Sequence, residues 1–202
     1  MNPLPFVYLA SQSPRRQQLL AQIGVPFKVL LPHDTDAAEA LERVLPGETP
    51  LAYVQRVTLL KLQQAKTECT RLAWPVHPIL CADTTVALGS VILGKPQHAG
   101  EAKDMLQRLS GQSHQVFTAI AIAHGRKTLR ALSRSKVRFA PLSAQEIEAY
   151  VASQEPMGNA GAYGIQGLAS GFIRSIQGSY SGIMGLPLYE TTRLLRKVAE
   201  GS

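Results

Sequence analysis

Apolar residues fall into two rhythms along this chain, and the rhythms take turns. Runs at Phe6 to Ala10, PFKVLL (26–31), HPILCADTTVAL (77–88) and VFTAIAIAH (116–124) predict strands. LRALSRSKVRFA (129–140) instead alternates apolar and polar, as an antiparallel strand does, and VILGKP predicts a short hairpin strand returning after residue 88. Between these lie stretches with helical spacing. Ser13 is a good N-cap, Pro14 suits the first helical position and Gly24 supplies a stop; Thr49-Pro50 opens a longer helix to about Cys69, with Leu51, Val54, Val57 and Leu60 on one stripe. Further helices are predicted over 98–109, from a Ser143/Glu146 capping box to about Ala152, and from about Pro187 to Val198. The segment holding His33, Asp34 and Asp36 predicts a polar loop. This pattern alone supports a mixed α/β class.

From 158 to 185 the texture changes, because eight of the sixteen glycines lie there among Tyr163, Ile165, Phe172, Ile173, Ile176 and Tyr180. The apolar residues argue for packed, sharply turning backbone. Tight turns between edge strands and close approach of backbone to a ligand both fit, and glycine alone does not separate them.

Composition narrows the picture. A hydrophobic fraction of 45% over 202 residues can build a real core, and the length suits one domain with two lobes. The N-terminal MNPLPFVYLASQ has no basic leader, and no apolar run approaches the 18 or so residues of a bilayer span, so the expectation is a cytoplasmic protein without a membrane partner. Cys69 and Cys81 have neither metal-ligand spacing nor a disulfide framework, and Cys81 is expected to be buried. The net charge of +7 points to an anionic partner. Nucleic acid is not expected, since the cations are dispersed and only 6% of residues are aromatic.

The candidate chemistry begins at LASQSPRRQQLL (9–20), which places Arg15 and Arg16 in the first turn of a helix. There the macrodipole already presents roughly half a positive charge, so cations are disfavoured and phosphate is favoured. A solvated surface pair is the plain alternative. Asp83, inside an apolar strand, needs a partner or solvent, and is a candidate general base or metal ligand unless it serves as a turn carboxylate. Lys61 and Lys95 are each weak signals alone; with Arg15 and Arg16 they would supply the several cations a polyphosphate needs. Asp34 and Asp36 could join Asp83 around a magnesium ion, which takes one or two carboxylates with phosphate oxygens and water. No GxxxxGK[ST] loop, no GxGxxG after a strand and no Ser-His-Asp arrangement is present.

Taken together, LASQSPRRQQLL, YVQRVTLLKLQQAK (53–66), CADTTVAL (81–88), LGKPQHAGEAKDMLQRLSGQSHQVFTAIAI (93–122), YVASQEPMGNAGAYGIQG (150–167) and GSYSGIMGLPLYET (178–191) resemble the Maf family of nucleoside triphosphate pyrophosphatases. ADT followed by AYGIQG is similar to the subgroup acting on dTTP and UTP rather than its 7-methyl-GTP sister. The resemblance implies a single domain over 1–202, a mixed central sheet flanked by helices, and two lobes around a cleft, as in inosine triphosphate pyrophosphatases. It further implies a divalent cofactor, Mg or Mn, and a nucleoside triphosphate as the bound partner, with modified pyrimidine nucleotides as further substrates and a homodimer as a compatible state. Asp83 would be the proton acceptor and a metal ligand; Arg15, Thr84 and Gln166 would set substrate choice; Ser11, Arg16, Lys61 and Lys95 would hold phosphates.

Two departures from the family pattern stand out. The acidic pair that usually ends in Glu after the second strand reads HDTD here, so Asp36 would take the metal position with a shorter arm. The helix that usually reads RLA and KA has RVT and KL. The acidic change keeps open a nucleotide-binding regulator of septation with weak catalysis.

Overall fold

The computed structural model describes residues 4–200; Met1–Pro3 of the N-terminal segment lie outside them. The strands are β1 (Val7–Leu9), β2 (Phe27–Val29), β3 (Ile79–Leu88), β4 (Val91–Leu93), β5 (Ser113–His124), β6 (Lys127–Phe139) and β7 (Ile173–Gln177). The helices are α1 (Pro14–Gln22), α2 (Thr35–Ala40), α3 (Pro50–Arg71), α4 (Ala99–Leu109), α5 (Ala144–Ala152), α6 (Tyr180–Met184) and α7 (Leu188–Glu200). All seven strands form one mixed sheet in the order β2-β1-β3-β5-β6-β7, with β4 paired to β3. β1 runs parallel to β2 and β3, whereas β3, β5, β6 and β7 are antiparallel in sequence of pairing. No helix among the described residues is long and apolar enough to cross a membrane.

The strict two-residue period of β3 and β5 sorts their side chains onto two covered faces. Leu80, Ala82, Ile120 and Ile122 pack against Leu19 and Leu20 of α1 and Leu194, Leu195 and Val198 of α7. The intervening residues face α3: Cys81 and Ala121 meet Leu62 and Ala65, and Ala87, Phe117 and Ala119 meet Tyr53, Val54 and Val57. A further core gathers Val86, Leu93, Val116 and Phe139 under Leu106 and Leu109 of α4, Ile147 and Val151 of α5, and Tyr163 and Ile165. Each fully buried aliphatic side chain contributes about 1.5–3 kcal/mol, so covering both faces fixes β3 at the centre.

Two of the three helix caps read from sequence form side-chain bonds, whereas Ser13 occupies the N-cap position of α1 without a side-chain cap hydrogen bond. Thr49 Oγ1 accepts from Ala52 N, and the Ser143/Glu146 capping box is formed on both sides. Two elements differ from the sequence reading. The polar segment after β2 is not a loop throughout but carries α2, whose TDAAEA sequence has no apolar stripe. The glycine-rich stretch contains β7 on the sheet edge, two 3-10 turns (Ala160–Ala162 and Leu168–Phe172) and α6. One of its glycines is sterically required: Gly161 has φ +70°, donates its N–H to Gly94 O at 2.9 Å, and would place a Cβ 2.8 Å from Val86 Cγ1. That close approach seats the segment against β3 and β4.

Candidate active site

A break in strand pairing creates the cleft. β1 pairs with β3 at Ile79 and Leu80, with Ala10 N bonding Leu80 O, and β4 pairs from Val86 onward. Between them, among the described residues, β3 pairs only with β5, so the other edge of residues 82–85 is left facing a cavity of about 580 Å³. That volume lies within the range of small-ligand pockets. Because successive strand residues point to opposite faces, Asp83 turns toward α3 and Thr84 toward α1 and α6. The cavity thus receives one chemical group from each side of the same strand.

On the α3 side, Lys61 Nζ lies 2.6 Å from Asp83 Oδ1 and 2.6 Å from Glu42 Oε1, while Lys95 Nζ lies 3.2 Å from Glu42 Oε2. Burial alone would lower the Lys61 pKa; the Asp83 and Glu42 charges outweigh it, and the ammonium is held above its ordinary range. Burial likewise works against the Glu42 carboxylate, but Lys61 and then Lys95 bring its pKa below the ordinary value. Tyr53, also lining the cavity, has its phenol pKa raised by burial and by the neighbouring Asp83 and Glu42 charges. The group is therefore a chain of alternating basic and acidic side chains, Asp83, Lys61, Glu42 and Lys95. Two carboxylates from different elements, beside lysines able to reach phosphate, suit a magnesium or manganese ion whose other ligands are phosphate oxygens and water. Among the described residues no cluster of three or more His, Cys, Asp or Glu exists that would enclose an ion by itself.

On the opposite side, Arg16 is braced by the protein. Its Nε donates to Gly185 O at 2.9 Å, Nη1 to Ser11 Oγ at 3.0 Å and Nη2 to Thr84 Oγ1 at 3.4 Å. Thr84 Oγ1 also lies 3.0 Å from Thr118 Oγ1, whose hydroxyl donates to Gly182 O at 2.7 Å. Gly185 adopts φ +128°, a left-handed conformation that glycine tolerates and that ends α6 where its carbonyl meets Arg16. Arg15 is different. It lines the cavity and has no hydrogen-bond or ion-pair partner among the described residues; partial burial, then the charge of Arg16, lowers its pKa. A desolvated cation without a partner is the feature an incoming anion would complete.

Gln166 also lines the cavity, on a turn secured from behind. Glu155 Oε2 accepts from Leu168 N at 2.8 Å, Oε1 accepts from Ala169 N at 3.3 Å and from Tyr150 OH at 2.9 Å, and Tyr150 OH accepts from Gly164 N at 3.4 Å. Both flanks of Gln166 are thereby fixed while its amide is left to the cavity.

The structure thus brings Ser11, Arg15, Arg16, Lys61, Asp83, Thr84, Lys95 and Gln166 to one cleft. It does not bring Asp36 there. That residue is exposed in the first turn of α2 and does not line the cavity; the carboxylate beside Asp83 is Glu42. Helix formation over 35–40 carries the HDTD carboxylates away and delivers the residue just beyond the helix. Glu42 is not marked in the sequence because ALERVLPGE carries no motif and no helical or strand period around it; its one hint is that it lies in the segment leading to the helix bearing Lys61. The RVT and KL departures fall elsewhere: Thr58 and Leu62 are buried against the sheet, with Thr58 Oγ1 donating to Val54 O at 2.7 Å, and neither lines the cavity.

Comparison with known proteins places the chain among named relatives. A dTTP/UTP pyrophosphatase of Polaromonas sp. (strain JS666 / ATCC BAA-500) is 58% identical over 196 residues, covering 97% of each chain. Those of Albidiferax ferrireducens and Ralstonia nicotianae are 54% and 56% identical, covering 95% and 98% of this chain and 96% of each relative. A solved structure of the Staphylococcus aureus Ham1 protein overlaps at a TM-score of 0.40 and 12% identity over 67% of this chain and 72% of its own, too loosely to argue from. The family model described as Maf-like protein matches residues 6–198, every strand of the sheet and every group of the cleft included, and the chain belongs to the Maf family.

Proposed function

We propose that the protein hydrolyses dTTP and UTP to the nucleoside monophosphate and pyrophosphate. The observation that carries this reading is the Lys61-bridged pair of Asp83 and Glu42 in a cleft that also presents Arg15, Arg16 and Lys95, in a chain more than half identical to relatives named for that activity. Asp83 accepts a proton from a water molecule whose oxygen attacks the α-phosphorus; the bond from that phosphorus to the bridging oxygen breaks, and pyrophosphate leaves. Lys61, Lys95 and Arg16 would neutralise charge accumulating on the departing oxygens. Glu42 and Asp83 would hold a Mg or Mn ion, which when bound supplies further charge neutralisation along the triphosphate. Arg15 has donors available for a bound anion, and the Gln166 amide can both donate to and accept from a pyrimidine edge, which supports a role for both in substrate choice. The braced Thr84 hydroxyl shapes the same side of the cleft.

The acidic position that HDTD left short is supplied by Glu42, which removes the reason for preferring a non-catalytic regulator. The cytoplasm, where nucleoside triphosphates are abundant and thiols such as that of Cys81 stay reduced, is the location this activity implies. Purified protein incubated with Mg²⁺ or Mn²⁺ and a nucleotide panel should release pyrophosphate from dTTP and UTP. Release from 7-methyl-GTP alone would reassign it to the sister activity, and release from none would end the proposal.

A further inference from the structure

We infer that Arg56 is a positioning residue for the cleft, acting through Glu42; the inference rests on the proposed pyrophosphatase reading only for the importance of that carboxylate. Glu42 lies between α2 and α3 in a stretch with no helix or strand, and its neighbours Val44 and Leu45 are each 47% exposed, so apolar burial does not hold it. Donors from α3 hold it instead. Arg56 Nη1 donates to Leu41 O at 3.3 Å, Arg56 Nη2 to Arg43 O at 2.9 Å, and Tyr53 OH to the intervening Glu42 O at 2.9 Å. Three consecutive carbonyls are thus gripped by two side chains one helical turn apart.

The grip is itself locked. Glu48 accepts from Arg56 Nε at 2.6 Å and Nη2 at 2.7 Å, and its Oε2 also accepts from Leu45 N at 3.2 Å. The pair is partly buried, Arg56 being 25% and Glu48 8% exposed in their side chains. Such pairs gain little net stability after desolvation, and what this one secures is geometry. Arg56 does not line the cavity, so any effect on turnover passes through what it holds, the 41–43 segment and the ring of Tyr53, which lies 5.6 Å from its guanidinium carbon. Lysine is no substitute, because a single ammonium has no fixed fork to meet a carboxylate side-on while reaching two carbonyls.

The test compares wild type, Arg56→Ala, Arg56→Lys, Tyr53→Phe, Glu42→Ala and the double variant Arg56→Ala/Glu42→Ala. For each, Mn²⁺ binding in the presence of α,β-imido dTTP is followed from the paramagnetic resonance of the free ion, alongside kcat and KM for dTTP. Arg56→Ala should weaken Mn²⁺ binding and lower kcat by about 10- to 100-fold, as loss of a supporting partner does, with KM changed less than threefold. Arg56→Lys should fall between it and wild type. The double variant should be no worse than Glu42→Ala, because removing the anchored group makes the anchor irrelevant. Wild-type Mn²⁺ affinity and kcat in folded Arg56→Ala, or losses that multiply in the double variant, would overturn the role. If Arg56→Ala does not fold, Tyr53→Phe decides: it removes one of the three grips and should shift Mn²⁺ binding several-fold the same way, and no shift overturns the proposal. A wild type inactive on dTTP would overturn the functional reading instead, and the binding arm would still decide the clamp.

Discussion

At the level of single residues, the site is organised by which face of β3 a side chain meets. Asp83 and Thr84 are adjacent in sequence, yet one joins Lys61 and Glu42 while the other joins Arg16 and Thr118. Asp83→Asn preserves size and an oxygen able to accept from Lys61, but it cannot take up a proton at neutral pH. Turnover of dTTP should drop by about 10²- to 10⁴-fold, the usual contribution of a general base, with the melting temperature within a few degrees of wild type. A folded Asp83→Asn enzyme with near-native kcat would remove Asp83 from that role. Asp83 could be picked out from sequence because a carboxylate inside LCADTT breaks an otherwise apolar strand, whereas Lys61 and Lys95 are weak signals alone and are marked out by the family resemblance. Glu42 could not, since its partners are Tyr53, Lys61 and Lys95, and nothing in ALERVLPGE encodes their proximity. Arg15 and Arg16 were legible as an anion site, while their division into one braced guanidinium and one without a partner among the described residues depends on Gly185 and Thr84, far along the chain.

Elements whose pattern is amphipathic or fully apolar were readable: α3, α4, β3, β5 and β6 fall close to where periodicity put them. α2 and β7 were not, the first because TDAAEA lacks an apolar face and the second because it is set among glycines and is held by pairing with β6 and by Ile173 against the core. One element junction carries a pH signature. His114 at the start of β5 is buried among Phe139 and Tyr163, its Nε2 lies 2.8 Å from Tyr163 OH, and its Nδ1 has no partner among the described residues. Burial pushes its pKa down from 6.5 to about 4. Above about pH 6.5 folded and unfolded chains both carry neutral imidazole, so its contribution is complete. As pH falls below that, the unfolded chain takes up a proton that the folded chain refuses, and stability declines until about pH 4, where the folded imidazole also titrates. The full span corresponds to about 3 kcal/mol. Urea unfolding from pH 7.5 to 4 should therefore show a slope that is reduced by one proton in His114→Phe, a variant that keeps the ring contacts; identical slopes in the two proteins would exclude His114 as the source.

For the whole molecule, the decisive arrangement is a sheet whose central strand is paired along one edge and only partly along the other. No local pattern announces this, because it depends on where β1 stops and β4 begins, and both are three-residue strands. The gap is lined by Arg15, Arg16, Lys61 and Lys95 against Glu42, Glu68 and Asp83, with Glu68 engaged by Arg71 at 2.6 Å, so the field inside is positive within a chain already at +7. A cleft with low-dielectric walls focuses such a field outward and raises the encounter rate of a polyanion. Salt screens it, with a Debye length near 30 Å at 0.01 M and about 8 Å at 0.15 M. Once the nucleotide is seated, the chemical step proceeds among groups at contact distance, which bulk ions barely reach. Raising NaCl over that range at saturating Mg²⁺ should lower kcat/KM for dTTP several-fold while kcat stays nearly constant, and Arg15→Gln should flatten the dependence by removing the cation that has no internal partner. A kcat/KM indifferent to salt in wild type would mean that capture owes nothing to the positive cleft; a kcat that fell in step with it would place the salt effect on chemistry instead of encounter.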